Sequence, residues 1–240
     1  MKVVAFNGSP KAKGNTYHAL KLVCDELEKQ GIETEIISVG NKKISGCMAC
    51  NLCVKNRDEQ CSMKDDPVNE WIQKMKEADG ILLGSPVHYA SVAGNMKSFL
   101  DRAFYVTGVN KSMLRHKVGA SVVAVRRSGG LTAFHELNNY LTYAEMMIPT
   151  SNYWNVIHGT MPGEVLDDPE GVQIMQVLGR NMAYLMQLME FGKGKVDAPG
   201  KARKVIELIE VPTRLRPIIQ PGNERPPTKY SSVLVFFFEK

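Results

Sequence analysis

The sequence predicts an α/β fold: one doubly wound parallel sheet of five strands with helices on both faces. Short continuous apolar runs, the pattern of strands buried on both sides, recur along the chain. Segments of helical periodicity separate them, and they are long enough to serve as crossovers between parallel strands, which run right-handed.

Lys2 to Asn7 is the first expected strand. After the turn Gly8-Ser9-Pro10, Leu20, Val23, Cys24 and Leu27 fall at i, i+3, i+4 and i+7, one helix face, and Gly31 is its stop signal. Ile32 to Val39 alternates and is rich in β-formers, a second strand. Asp66-Pro67 reads as an N-cap followed by proline at the first helical position, with Val68, Trp71, Ile72 and Met75 as the apolar stripe up to Asp79. Gly80 to Gly84 is the third strand and Ala93 to Tyr105 the next helix. Val118 to Val125 is the fourth strand, Leu131 to Met147 a helix, and Ile148 to Val156 the fifth strand. Glu170 to Glu190 closes the series as a helix with Ile174, Leu178, Met182, Leu185 and Met189 on one face.

These elements make one domain over residues 1–192. Residues 193–240 hold half the prolines and read as an extended arm, ending in the apolar run Val233 to Phe238 that needs cover on the body or on a neighbouring subunit.

The chain has 240 residues, 44% hydrophobic and 23% charged, which is ordinary globular composition. No apolar run reaches the roughly 18 residues of a membrane span, and the N-terminus does not read as a secretory signal, so the expectation is a cytoplasmic protein without a membrane partner. The net charge of +5 lies wholly beyond residue 192, where 10 basic face 5 acidic residues; residues 1–192 carry 20 of each. A neutral body lacks the concentrated basic face of a nucleic-acid binder.

The turn between the first strand and helix reads Gly8-Ser9-Pro10-Lys11-Ala12-Lys13-Gly14-Asn15-Thr16. Free backbone N–H groups, hydroxyls and the positive end of a helix dipole meet there, an arrangement that favours a phosphate. The turn is neither G-x-G-x-x-G nor a Walker A loop: five residues separate Gly8 from Gly14, and Asn15-Thr16 stands where Lys-Ser/Thr is required. Two further loops leave carboxyl ends of strands, Gly84-Ser85-Pro86-Val87-His88-Tyr89 and Arg126-Arg127-Ser128-Gly129-Gly130. A doubly wound sheet brings such loops to one edge, where Pro86, Tyr89, Gly129 and Gly130 suit a flat ring. His88 taken alone is a packing or hydrogen-bonding residue and is kept only as a ring contact.

With these residues the chain resembles the NADPH-dependent FMN reductase and iron-sulfur flavoprotein families of the flavodoxin-like superfold. Asn7-Gly8-Ser9-Pro10 with Gly14-Asn15-Thr16, then Ala78-Asp79-Gly80-Ile81 leading to Gly84 through Tyr89, then Met96-Lys97-Ser98-Phe99-Leu100-Asp101-Arg102 carry the resemblance. It implies bound FMN, with Ser9, Lys11, Gly14, Asn15 and Thr16 at the phosphate. It places Ser85, Pro86, Val87, His88 and Tyr89, with Ser128, Gly129 and Gly130, at the isoalloxazine and ribityl groups. His88 stands where the family often has Tyr.

Cys47, Cys50, Cys53 and Cys61 read C-x2-C-x2-C-x7-C. The first three have the compact spacing that wraps one corner of a cubane cluster, and the fourth is able to close it. In the iron-sulfur flavoproteins such a motif implies a [4Fe-4S] cluster; zinc and metal-free thiols are the alternatives. Cys24 lies on a helix stripe and is expected to be a buried core thiol.

The expected activity is an FMN-dependent oxidoreductase passing electrons between NAD(P)H or a redox-protein donor and a small acceptor, with no catalytic side chain required. A reductase without a cluster and a non-catalytic electron carrier are the rivals; the carrier's acidic surface is missing from the neutral body. The resemblance implies a homodimer or homotetramer.

Overall fold

The computed structural model describes residues 1–202, and the apolar run Val233 to Phe238 and most of the expected arm lie outside them. Residues Met1–Asp197 form one compact unit. In chain order its elements are β1 (Lys2–Asn7), α1 (Asn15–Lys29), β2 (Glu33–Ser38), α2 (Leu52–Asn56), α3 (Val68–Glu77) and β3 (Gly80–His88). They continue with β4 (Ser91–Val92), α4 (Gly94–Val109), β5 (Val118–Val125), α5 (Gly130–Tyr143), β6 (Val156–His158) and α6 (Pro169–Gly192).

The main sheet runs in the order β2-β1-β3-β5-β6, all parallel, with β4 folded back antiparallel on the end of β3. One face is covered by α1 and α6, where Val3, Ala5, Leu20, Leu82, Leu178 and Met182 pack together. The other is covered by α3, α4 and α5, with the Phe6 ring tilted against Phe99 at 4.7 Å and Trp71 edge-on to Phe99 at 5.4 Å. The central strands are therefore buried on both sides, which is why their sequences do not alternate. This is the expected flavodoxin-like architecture of five parallel strands.

Several boundaries depart from expectation: α4 runs past Tyr105 to Val109, and α3 takes Pro67 rather than Asp66 as its N-cap. Strand β3 continues past Gly84 to His88 and turns back through Tyr89 and Ala90 into β4. Helix α5 stops at Tyr143 rather than Met147. The Met146 N–H donates to Leu141 O and the Glu145 N–H to Thr142 O, with Glu145 in the left-handed region at φ 55°. The fifth strand, expected from Ile148, begins only at Val156. Pro149 has no N–H for a ladder, and the polar run Thr150-Ser151-Asn152 folds as a loop. Asn155 anchors that loop by donating from Nδ2 to Ser121 O at 3.0 Å.

Candidate functional site

The turn after β1 is built around the buried Asn7. Its Oδ1 accepts from the Ser9 N–H at 3.0 Å, its Nδ2 donates to Ala12 O at 3.2 Å, and its carbonyl accepts the N–H groups of Val39 and Gly40. The Gly8 N–H donates to Gly84 O, tying the turn to β3. Ser9 is buried and its Oγ accepts from the Lys11 N–H, leaving its own proton to donate. Lys11 and Lys13 are exposed, and the Gly14 N–H closes the turn on Lys11 O. Gly14 is the N-cap of α1 and supplies no side-chain cap, so the first N–H groups of the helix point into the turn.

Thr16 stands in that first helical turn, 1% exposed, and its Oγ1 has no hydrogen-bond partner. Asn15 is differently engaged: its Oδ1 accepts the Gly163 N–H at 2.8 Å and so fastens the loop before α6. Its backbone N–H remains at the helix end.

Gly40 is a component of this turn that sequence reasoning missed. A Cβ there would stand 2.1 Å from Gly8 O and 2.3 Å from Ser9 C, so only glycine lets the chain after β2 back onto the turn. A glycine just beyond a strand's carboxyl end was the available signal.

The β3–β4 hairpin rises from the same edge. Tyr89 and Ala90 both have positive φ, 48° and 60°, the two-residue geometry that glycine and asparagine ordinarily supply. Such strain in non-glycine residues concentrates at functional sites. The ring of Tyr89 is fully exposed and His88 is exposed, while Pro86 and Val87 are half-buried. Ser85 faces inward: its Oγ donates to Pro86 O and accepts from the Ala93 N–H, so this side chain shapes the hairpin rather than lining its outer surface.

Gly129, with φ 85°, packs on the hairpin, and a Cβ there would meet Ala90 Cα at 2.9 Å and Val87 Cγ1 at 3.0 Å. The aromatic hairpin and the Ser128-Gly129-Gly130 loop are therefore brought together, as expected. Beyond them an open cleft of about 360 Å³ is lined by Arg127, Tyr153, Trp154, His158, Asp168 and Glu170, among others. The Tyr153–Trp154 pair, edge-on at 4.6 Å, gives it an aromatic wall with no signal in the sequence pattern.

The cysteine loop leaves β2 at the same carboxyl edge and lies along α4. Asn95 Nδ2 donates to Gly40 O and Lys42 O, the Tyr105 hydroxyl to Asn51 Oδ1, and Arg57 Nη1 to Val109 O. Asn69 clamps Cys61 from both sides, accepting its N–H at 2.7 Å and donating to its carbonyl at 2.9 Å. Left-handed residues Ala49, Asn51, Arg57 and Glu59 fold the loop on itself.

Cys47, Cys50, Cys53 and Cys61 all line one small cavity of about 20 Å³, with Arg102 and Tyr105 among its other walls. Cys47 and Cys50 are exposed, Cys53 and Cys61 buried. The Ser62 hydroxyl at 3.3 Å, together with the Leu52 N–H, pulls the Cys50 thiol below its ordinary pKa. Burial pushes Cys53 up, and the neighbouring sulfurs of Cys61 and Cys47 add to that. Among the described residues, no three Cys, His, Asp or Glu side chains gather as ligands of a single metal ion. Cys24 is the expected core thiol, pushed up to about 12 by burial.

Residues 1–160 match the family model described as NADPH-dependent FMN reductase. An iron-sulfur flavoprotein of Methanocaldococcus jannaschii is 34% identical over 197 residues, 79% of this chain and 100% of that protein. An iron-sulfur flavoprotein of Archaeoglobus fulgidus is 36% identical over 175 residues, 71% of this chain and 83% of its own. Among solved structures, RosB with a bound riboflavin-5'-phosphate derivative superposes with a TM-score of 0.58 at 14% identity, over 95% of this chain and 99% of that one. An archaeal flavodoxin does so with a TM-score of 0.52 at 16% identity, over 78% and 99%. Both likenesses are of fold.

Proposed function

We infer that this chain, which belongs to the NADPH-dependent FMN reductase family and is an FMN-dependent oxidoreductase, holds a [4Fe-4S] cluster on Cys47, Cys50, Cys53 and Cys61 beside its flavin. Its electrons come from NAD(P)H or a reduced redox protein and go to a small acceptor such as a quinone or oxygen. The observation that carries the flavin half is Thr16 Oγ1. A buried hydroxyl with no partner, beside an uncapped helix N-terminus and the free proton of Ser9, is a set of donors made for a phosphate. The donor set of the cysteine loop carries the cluster half: four thiols around one cavity, two reaching the surface.

Bound FMN supplies hydride and single-electron chemistry, and a cluster supplies single-electron transfer. The protein's part is to hold and orient. Ser9, Thr16 and the first N–H groups of α1 hold the phosphate, with Lys11 adding charge at the rim. The strained hairpin through Pro86 to Tyr89 and the loop Ser128 to Gly130 bracket the ring, where close backbone approach is possible only because Gly129 has no side chain. The cleft walled by Tyr153 and Trp154 is the entry for the small donor or acceptor.

Preparation without oxygen tests this reading. Wild-type protein should contain stoichiometric FMN together with equal iron and sulfide, and Cys50→Ser should lose the iron while keeping the flavin. Flavin with no iron in the anaerobic wild type would assign the chain to the reductases that lack a cluster. The family resemblance also supports a homodimer or homotetramer as the working assembly, with the Val233 to Phe238 run covered within it.

A further inference from the structure

Arg102, on α4, is the bulkiest fully buried side chain among the described residues, only 1% exposed. A guanidinium taken out of water is costly unless its charge and its N–H groups are matched. Most of them are. Nη1 donates to the Asp66 carboxylate and to Ser45 O at 3.3 Å, and Nη2 donates to Met63 O at 3.1 Å.

Those bonds stitch both ends of the cysteine loop to α4, and they would suffice for a purely structural arginine. The ε N–H is left over. It is buried and has no partner, and among the described residues only Thr16 Oγ1 shares that condition. The side chain forms part of the wall of the cavity that the four cysteines surround. Arginine keeps its charge in proteins, and this guanidinium lies beside the Cys61 sulfur. An unspent, desolvated donor on a charged group carries a penalty larger than a neutral one does, and sulfur is the acceptor class within reach.

We propose that Arg102 is a direct contact of the iron-sulfur centre, donating its ε N–H to sulfur on the Cys61 side and raising the centre's reduction potential through its buried positive charge. The inference rests on the cluster reading of the four cysteines. Reduction adds negative charge, so a fixed cation and an N–H···S bond favour the reduced form. The placement also links the two sites. Met96 on α4 packs against Gly8 of the phosphate turn, and Arg102 follows about 9 Å further along the same helix axis.

The test uses full-length protein carrying isotopically labelled arginine, loaded anaerobically and reduced with dithionite. Pulsed EPR of the reduced wild type should show hyperfine coupling from an arginine nitrogen, and Arg102→Lys should abolish it. In a redox titration, Arg102→Gln combined with Asp66→Asn is compared with Asp66→Asn alone, so that the two differ only at the arginine. The midpoint of the double variant should lie below that of Asp66→Asn by at least a tenfold change in the reduction equilibrium, ~59 mV for one electron. If that double variant takes up no cluster, the wild-type coupling and the Arg102→Lys spectrum decide. Absence of coupling in iron-loaded wild type, or an unmoved midpoint in the loaded double variant, overturns the contact. Wild type that binds no iron at all overturns the cluster reading instead, and this inference falls with it.

Discussion

A buried hydroxyl without a partner costs a folded chain roughly 1–3 kcal/mol, and Thr16 Oγ1 is such a group. On the proposed reading the hydroxyl gains its partner when the flavin phosphate binds. Thr16→Val keeps the shape and removes the donor, so its two effects should have opposite signs. In flavin-free protein the variant should be as stable as wild type or more so, by up to about 1 kcal/mol in a thermal or denaturant melt. In a flavin titration it should bind FMN about tenfold or more weakly, the weight of a hydrogen bond to a charged group, roughly 1.5–3 kcal/mol. A variant that loses apo stability and keeps its FMN affinity would assign the hydroxyl to the fold. Among the residues named from sequence, Ser9 and Thr16 stand in this donor set by their side chains. Asn15 and Ser85 have theirs committed elsewhere, to Gly163 and to Ala93, which no local pattern reveals.

Elements end where capping chemistry allows, and two helices of this fold end by the same device. After α1, the Gly31 N–H donates to Glu28 O and the Ile32 N–H to Leu27 O, with Gly31 at φ 73°. After α5 the same pair of bonds forms around Glu145, a residue that pays for the left-handed backbone. The first stop is legible because glycine marks it; the second is not, because nothing in its residue type does. The segment after β2 gives the element-scale prediction. Gly40→Ala forces a Cβ into the backbone of Gly8 and Ser9, so the phosphate turn must move. FMN affinity should fall at least tenfold, with about 1–3 kcal/mol of stability lost to overpacking. Gly108→Ala is the control. Its Cβ would meet open space in the last turn of α4, so it should leave flavin binding alone and add up to about 0.5 kcal/mol of stability.

At the scale of the molecule, the carboxyl edge of one sheet gathers three loops from separate crossovers, and α4 supports two of the sites it faces. The long cysteine loop, with α2 as its one helical turn and a half, is held by side chains from Asn95 to Asn110 rather than by a core of its own. Truncation addresses the part of the chain beyond this body. The compact unit closes by Asp197, and the apolar run Val233 to Phe238 would bury several hundred Å² once covered, worth several kcal/mol at about 25 cal/mol per Å². Removing everything after Gly192 should lower the subunit number or the solubility, measured by sedimentation. A truncated protein with unchanged subunit number, solubility and flavin content would show that the tail is dispensable.

What the sequence determined by itself was set by short-range periodicity and by spacing: the alternation of strand and helix, the glycine- and hydroxyl-rich turn, and four cysteines in one compact run. Those features are legible because the period of a buried face and the reach of neighbouring ligands are local properties of a chain. The tertiary structure alone decided which buried groups were left without partners, that Gly40 backs onto the turn after β1, that Arg102 reaches from α4 to both ends of the cysteine loop, and that residues 148–155 form a loop before β6. Each depends on contacts between residues far apart in the chain. Whether a polar atom is satisfied or a Cβ has room is a property of the packed interior, and no window of sequence contains it.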